Sequence, residues 1–117
     1  MKRDFISILD WTTGEILDNI EFAIELKQKT KEGMCPKLLE GKNYGIFFHK
    51  PSLRTRLSFE VGITQLGGSS MVLSEQDFKI GERETVSDVA RVMSRYVDGI
   101  LIRTFSHQMV LDLAKHA

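Results

Sequence analysis

The sequence has little that would cross-link, anchor or sharply bend a chain: one cysteine and two prolines in 117 residues, with no excess of either charge. Because Cys35 is alone, an intrachain disulfide and the zinc motifs built from cysteine pairs are excluded. We interpret it as an incidental thiol in a reducing compartment. The 16 Lys and Arg balance the 16 Asp and Glu, which excludes binding to nucleic acid or anionic lipid through net charge. Any anion site must be a local arrangement.

No apolar run is long enough to cross a membrane, and the apolar residues 6–9 are too few for a signal peptide. We therefore expect a cytoplasmic protein that binds neither membrane nor nucleic acid. Hydrophobic residues make up 42% and charged residues 27%, the balance of a globular protein. The length predicts one domain, residues 1–117, because two halves would each be too short for a core.

The hydrophobic pattern alternates between helix and strand. A capping box at Thr12 and Glu15 predicts a first helix that ends near Gly33. Short apolar runs at residues 44–48, 70–73 and 100–102 predict three strands. The first is expected to be buried on both faces, and the third is also expected to be buried. Further helices are predicted from about Leu53 to Leu66, from Thr85, and after Ser106. This alternation predicts an α/β fold: a parallel sheet with right-handed crossovers and helices on both faces.

The helical spacing also predicts which side chains are buried. In the second helix, Leu57, Val61 and Thr64 form one apolar stripe, which Phe59, Ile63 and Leu66 widen. In the third helix the predicted buried side consists of Val86, Val89, Ala90, Met93 and Tyr96.

Polar residues with unusual chemistry follow two of the predicted strands. In parallel sheets, ligands bind beyond the carboxyl ends of the strands. Ser52 can cap the helix after the first strand, and the free N–H groups of Leu53, Arg54 and Thr55, together with the helix dipole, favour an anion. The guanidinium of Arg54 can grip phosphate oxygens with two hydrogen bonds. Arg103 closes the third strand, and we expect the two strand ends to lie near each other.

A simpler interpretation is a capped surface helix with solvated arginines. Arg56 leaves the helix on another side from Arg54, so we interpret it as structural and paired with Glu60 at i+4. The segment from Lys50 to Arg56 holds three basic residues and no acidic one in an otherwise balanced chain. Together with Arg103, this favours a phosphate site.

At these residues the sequence resembles a known family. The stretch from Phe48 to Glu60, with its order Ser-x-Arg-Thr-Arg after a strand, is similar to the carbamoyl-phosphate signature of the aspartate and ornithine carbamoyltransferases. Residues 94–105 resemble a second block, more like the ornithine branch. Residues 81–85 at the head of a helix also fit. The resemblance covers nearly the whole chain.

The resemblance implies transfer of the carbamoyl group from carbamoyl phosphate to ornithine, giving citrulline and phosphate, as in arginine biosynthesis. It implies that Ser52, Leu53, Arg54 and Thr55 bind the phosphate and that Arg103, with Thr55, approaches the carbamoyl oxygen. Arg54, Thr55 and Arg103 would be the catalytic residues. No metal or organic cofactor is implied. The partners implied are carbamoyl phosphate and further copies of the chain, in a trimer or a multiple of trimers.

Two departures from the family pattern leave alternatives open. Lys79 stands where many ornithine enzymes have glutamine, on a loop at residues 77–84 that reaches a neighbouring subunit's site. Lysine there is more typical of the aspartate branch, and a solvated loop charge is an equal alternative. The family's His-Pro-x-Gln segment does not occur, and His107 and His116 do not lie in such a motif.

We therefore expect an amino-terminal, carbamoyl-phosphate-binding part of a two-domain enzyme, without its amino-acid-binding domain and with little turnover by itself. The alternatives are an aspartate or other amine carbamoyltransferase, and a non-catalytic fragment for anion binding or oligomerisation.

Overall fold

The computed structural model describes residues 3–48, 52–74 and 85–117. Helices and strands alternate in it as the sequence predicts. A short 3-10 helix at Ile8–Asp10 precedes four helices and three strands in the described part. These are α1 (Thr13–Lys31), β1 (Asn43–Phe48), α2 (Leu53–Gln65), β2 (Ser69–Ser74), α3 (Val86–Tyr96), β3 (Gly99–Arg103) and α4 (His107–His116).

The strands form one parallel sheet with β1 in the centre, in the order β2-β1-β3. Its core is on the face of Phe47, which is 1% exposed and packs with Val89 and Met93 of α3. Met109 of α4 packs against the same cluster. The neighbouring Ile46 is 2% exposed and points to the opposite face, because side chains alternate along a strand. That face is covered by α2, so the predicted fold class is confirmed.

Local capping determines where each helix begins. The Thr12 side chain accepts a hydrogen bond from the Glu15 N–H, and the Glu15 carboxylate accepts one from the Thr12 N–H, so the predicted capping box is present. At the starts of α2, α3 and α4, the side chains of Ser52, Thr85 and Ser106 each accept one hydrogen bond from the N–H group three residues on. Such caps satisfy N–H groups that have no partner in the first helical turn.

Arg3 ties the amino-terminal segment to the start of α1. Its guanidinium lies 3.8 Å from the centre of the Trp11 ring and donates hydrogen bonds to both carboxylate oxygens of Glu15. The bond from Arg3, followed by the one from the Thr12 N–H, lowers the pKa of Glu15 to about 2. The charge of Glu15 therefore persists well below the usual range of a carboxyl group.

A backbone clasp joins the beginnings of β1 and β3. The Asp98 N–H donates to the Asn43 carbonyl at 2.7 Å, and the Asn43 N–H donates to Oδ2 of Asp98 at 2.8 Å. The two strands then continue in register until Phe48 lies opposite Arg103. The clasp therefore fixes which residues meet at the carboxyl end of the sheet.

The predicted buried side of α2 is wrong for Leu57, Val61 and Thr64 and correct for Ile63. Leu57 and Val61 are 50% and 49% exposed, and Thr64 is also exposed, whereas Ile63 is buried. The helix turns the row containing Phe59 and Ile63 towards the sheet, although Phe59 itself is still 42% exposed. Both rows are apolar and spaced by four residues, so periodicity alone does not distinguish them.

The prediction for α3 is correct for Val89, Ala90 and Met93, which are buried, and Val86 packs against the core cluster. It is wrong for Tyr96, which is 78% exposed. The chain leaves helical geometry directly after Tyr96, with extended backbone at Val97. As a result, Val97 packs against the core cluster in its place.

None of the helices within the described ranges combines the length and the apolar character needed to span a lipid bilayer.

Candidate functional site

The start of α2 has the geometry expected of an anion site. Ser52 lies in extended backbone, and its Oγ accepts a hydrogen bond from the Thr55 N–H at 3.3 Å. The same hydroxyl donates to Oγ1 of Thr55 at 2.9 Å. The prediction of three free N–H groups is therefore wrong for Thr55. Within the described part of the chain, the N–H groups of Leu53 and Arg54 remain without partners.

Arg54 is exposed, and no hydrogen bond or ion pair joins its side chain to another described residue. Its guanidinium is therefore available for a ligand at the helix start. Leu53 is 71% exposed, so its contribution to binding would come from its backbone N–H. Ser52 and Thr55 are half-buried, which limits the directions from which an anion could reach them.

Arg56 differs from Arg54, as the sequence predicts. Nε of Arg56 lies 3.0 Å from Oε2 of Glu60, and the side chain of Arg56 is 54% exposed. In this exposed i,i+4 ion pair, the charge of Arg56 interacts with the Glu60 carboxylate on the helix surface. The predicted pairing of Arg56 with Glu60 is confirmed, and a structural role for Arg56 stays a prediction.

Arg103 lies at the carboxyl end of β3, directly opposite Phe48 at the end of β1. Since β1 ends at Phe48 and β3 ends at Arg103, the two strand ends meet as predicted. Arg103 is half-buried, and its Nε is buried without a hydrogen-bond partner among the described residues. A buried donor without a partner is costly, and a bound anion or carbonyl oxygen would remove that cost.

Thr55 and Arg103 line the same cleft, which has a volume of about 650 Å³ and which we call the β3 cleft. The structure thus brings Thr55 of α2 and Arg103 of β3 together. Ser52, Leu53 and Arg54 lie outside its lining, at the start of the helix. The rest of its lining is mainly apolar and includes Phe48, Phe59, Leu101, Val110, Leu113 and Ala114.

Two parts of the sequence prediction lie outside the described residues: Lys79 and the other residues of the loop at 77–84, and the segment 49–51 before Ser52. Thr85, the last residue of the 81–85 stretch, is described and caps α3. The sequence analysis missed the clasp at Asp98, which determines the register that brings Arg103 to Phe48. An aspartate before a predicted strand gives no signal specific enough to have found it.

The comparisons with known proteins agree with this geometry. Residues 3–117 match the family described as aspartate/ornithine carbamoyltransferase, carbamoyl-P binding domain. The chain is 51% identical to the ornithine carbamoyltransferase of Symbiobacterium thermophilum over 98% of this chain and 37% of that protein. It is 50% identical to the ornithine carbamoyltransferase of Halalkalibacterium halodurans over 98% of this chain and 36% of that protein. It therefore spans little more than a third of the length of these relatives and matches their amino-terminal part.

Solved structures give the same result. The ornithine carbamoyltransferase from Pyrococcus furiosus superimposes with a TM-score of 0.95 and 46% identity, covering 98% of this chain and 37% of that one. The catalytic subunit of the M. jannaschii aspartate transcarbamoylase superimposes with a TM-score of 0.87 and 31% identity, covering 99% and 38%. This chain belongs to the aspartate/ornithine carbamoyltransferase family and corresponds to its carbamoyl-phosphate-binding domain.

Proposed function

We propose that residues 1–117 form the carbamoyl-phosphate-binding domain of an ornithine carbamoyltransferase that acts in the cytoplasm in arginine biosynthesis. The observation that supports it most is the meeting of two strand ends at one cleft. Thr55 comes from the helix after β1, Arg103 comes from the end of β3, and the buried Nε of Arg103 has no partner among the described residues. Relatives near 50% identity named as ornithine carbamoyltransferases support the acceptor.

The proposed site divides the substrate between two sets of donors. The N–H groups of Leu53 and Arg54, the Ser52 hydroxyl and the Arg54 guanidinium would hold the phosphate at the start of α2. Arg103 and the Thr55 hydroxyl would lie at the carbonyl oxygen. This division places fixed positive charge at both ends of the bond that breaks.

In the reaction, the neutral δ-amino nitrogen of ornithine attacks the carbonyl carbon of carbamoyl phosphate. The new C–N bond forms, negative charge develops on the carbonyl oxygen, and the bond from that carbon to the phosphate oxygen then breaks. The amine nitrogen loses one proton and phosphate leaves with the bonding electron pair. Donors fixed at the developing oxyanion contribute about 3–4 kcal/mol each in comparable sites.

The site assignment is tested by measuring, with ³¹P NMR, the binding of carbamoyl phosphate to the 117-residue chain. We expect Arg103→Met, which keeps the apolar stem of the side chain, to weaken binding. The matched control is Arg95→Met, since Arg95 is an exposed arginine outside the β3 cleft. Equal affinities for the two folded variants would refute the assignment of Arg103.

The amino-acid acceptor requires a separate assay. The native protein from its own cells would receive carbamoyl phosphate with either ornithine or aspartate. Citrulline as the product supports the proposal. Carbamoylaspartate would instead support the aspartate branch. This alternative is tested because the chain is also 31% identical to the M. jannaschii aspartate transcarbamoylase subunit. No product with either acceptor would support the non-catalytic alternative.

We also propose a homotrimer, or a multiple of trimers, in which Lys79 serves the site of a neighbouring subunit. This follows from the family resemblance of the 77–84 loop. In the test, full-length subunits that carry Arg54→Ala are mixed with full-length subunits that carry Lys79→Ala. Some activity should return, since some interfaces then combine an intact Arg54 from one subunit with an intact Lys79 from its neighbour. No recovery after verified subunit exchange would contradict a shared site.

A further inference from the structure

The turn between β3 and α4 is closed by three side-chain hydrogen bonds. The Ser106 N–H donates to Oγ1 of Thr104 at 3.3 Å, and the Met109 N–H donates to Oγ of Ser106 at 3.3 Å. The Thr104 hydroxyl in turn donates to the Met109 sulfur at 3.6 Å. We call these three residues the Thr104 network. Because each of them is bonded to the other two, the network fixes how the chain passes from strand to helix.

The Thr104 network is anchored in the core of the domain. Met109 packs against the buried cluster formed by Phe47 of β1 and two residues of α3. A threonine hydroxyl has one proton to donate and lone pairs to accept with. Here it donates to Met109 and accepts from Ser106. The half-buried Thr104 side chain is therefore held in one orientation by a residue that is itself fixed by packing.

Arg103 directly precedes Thr104 in the chain. On the amino-terminal side, β3 is paired with β1 up to Arg103 itself, which lies opposite Phe48. On the carboxyl-terminal side, the next residue belongs to the network. The Nε of Arg103 is buried without a hydrogen-bond partner among the described residues. Since such a donor is unfavourable, the side chain would turn towards a partner if its backbone were free to move. The network prevents that movement.

The same network sets the position of α4 beside the candidate site. Ser106 caps α4, so the helix begins at a point that the network determines. Three residues of α4 line the β3 cleft together with Arg103: Val110, Leu113 and Ala114. The distance between this wall of the cleft and the end of β3 therefore depends on the turn that Thr104 closes.

We propose that Thr104 is a positioning residue for carbamoyl transfer: through its network, the Thr104 hydroxyl holds the Arg103 guanidinium at the carbonyl oxygen of carbamoyl phosphate. This rests on the proposed function, which assigns Arg103 to that oxygen. The groups assigned to the phosphate belong to Ser52, Leu53 and Arg54, outside the cleft lining at the start of α2. A change at Thr104 therefore alters recognition of the carbonyl end of the substrate and not of the phosphate end.

The test compares the affinities of the 117-residue chain for carbamoyl phosphate and for inorganic phosphate, measured by ³¹P NMR. Thr104→Val removes the hydroxyl and keeps the branched shape of the side chain. It should weaken carbamoyl phosphate about tenfold, the scale of one hydrogen bond to a charged group, and leave inorganic phosphate unchanged. Thr104→Ser keeps the hydroxyl and should restore most of the lost affinity. The ratio of the two affinities decides, because a general loss of stability would lower both together.

Thr30 provides the matched control. It is also half-buried, and its hydroxyl donates to the Leu26 carbonyl at 2.7 Å within α1, outside the β3 cleft. Thr30→Val removes a bonded hydroxyl of the same kind and should leave the affinity ratio unchanged.

A second measurement requires no ligand. Hydrogen exchange at Nε of Arg103, followed by ¹⁵N NMR, should be slow in the unsubstituted chain because this atom is buried. Thr104→Val should accelerate it severalfold, since the side chain can then leave its buried position, and Thr30→Val should not.

The proposal is overturned if folded Thr104→Val keeps the affinity ratio of the unsubstituted chain, or if exchange at Nε of Arg103 is unchanged. Loss of carbamoyl phosphate affinity in Arg103→Met but not in Thr104→Val would overturn the role of Thr104 and support the proposed function. If the unsubstituted chain binds neither ligand, the proposed phosphate site fails, and the exchange measurement still decides the role of Thr104.

Discussion

At the scale of single residues, chemically similar side chains differ in what surrounds them. Arg3 is bound to Glu15 and stacked on Trp11, whereas Arg56 is paired with Glu60 on the surface. Arg103 has a buried Nε without a partner in the described part of the chain. These differences predict distinct effects when each charge is removed.

Glu15 should titrate with a pKa of about 2, because the carboxylate accepts hydrogen bonds from Arg3 and from the Thr12 N–H. Its folded pKa lies below the ordinary carboxyl value of 4.5, so its contribution to stability is present above pH 4.5 and is lost as the pH falls towards 2. Carboxyl ¹³C NMR measures the pKa directly. Arg3→Gln should raise it towards 4.5.

The matched control is Arg91→Gln, because Arg91 pairs with Asp88 on α3 and should not affect Glu15. Since the side chains of Arg3 and Glu15 are both partly exposed to solvent, salt should weaken their interaction. An unchanged pKa of Glu15 in Arg3→Gln would contradict the network at the start of α1.

Arg54→Ala and Arg56→Ala should separate binding from stability. Arg54 has no described partner, so its loss should weaken a phosphate analogue about 100-fold, the scale for removing a charge-assisted contact. Arg56→Ala removes an exposed i,i+4 pair and should lower stability by only a few tenths of a kcal/mol. Calorimetric titration and urea unfolding measure the two effects. The reverse ordering in both measurements would refute these roles.

At the scale of elements, β1 and β3 are held together by the Asp98 clasp and by a close contact at the first residue pair of their register. Tyr44 lies opposite Gly99 in the register. A Cβ on Gly99 would lie 2.8 Å from two atoms of the Tyr44 ring. The absence of a side chain at Gly99 therefore permits the ring to cross the strand beside it.

Gly99→Ala should destabilise the fold more than Gly45→Ala. The added methyl group at Gly99 meets a rigid ring, and overpacking of this kind costs about 1–3 kcal/mol. At Gly45 the nearest atom is Cε of Met93, 2.5 Å away, at the end of a flexible side chain that can move. Gly62→Ala is the control, because α2 leaves open space there.

The control should be neutral or stabilising by up to about 1 kcal/mol, since alanine favours a helix interior over glycine. Urea unfolding of the three variants gives the order directly. Equal destabilisation by Gly99→Ala and Gly45→Ala would mean that the Tyr44 ring moves as easily as the Met93 side chain.

The elements were more predictable than their orientations. The Thr12–Glu15 capping box, Ser52 and the three apolar runs predicted where helices and strands occur, because these signals are local. The exposed row at Leu57 and Val61 and the exposed Tyr96 could not be predicted, because they depend on which side of a helix meets the sheet. At the candidate site, the local order of residues in the sequence predicted that Ser52 caps α2 and that Arg56 pairs with Glu60. The unpartnered Nε of Arg103 depends on long-range packing.

At the scale of the whole molecule, the described residues form an elongated body around a small core. The radius of gyration is 15.2 Å and the extents are 46 × 29 × 27 Å. A compact domain of this length would have a radius of gyration of about 13 Å. None of the 19 residues of α1 is buried, and Leu17, Ile20 and Ile24 are each more than half exposed. The stability of the chain should therefore be uneven.

Native-state hydrogen exchange should show this unevenness. The amides of β1, between two strands and two helical layers, should exchange most slowly. The amides of α1 should exchange about 100-fold faster or more, because local opening there exposes little buried surface and an unsupported helix of this length is marginal in water. Repeating the measurement at several protein concentrations controls for self-association. Protection of α1 equal to that of β1 at every concentration would mean that α1 is stabilised within the single chain, which its lack of buried residues argues against.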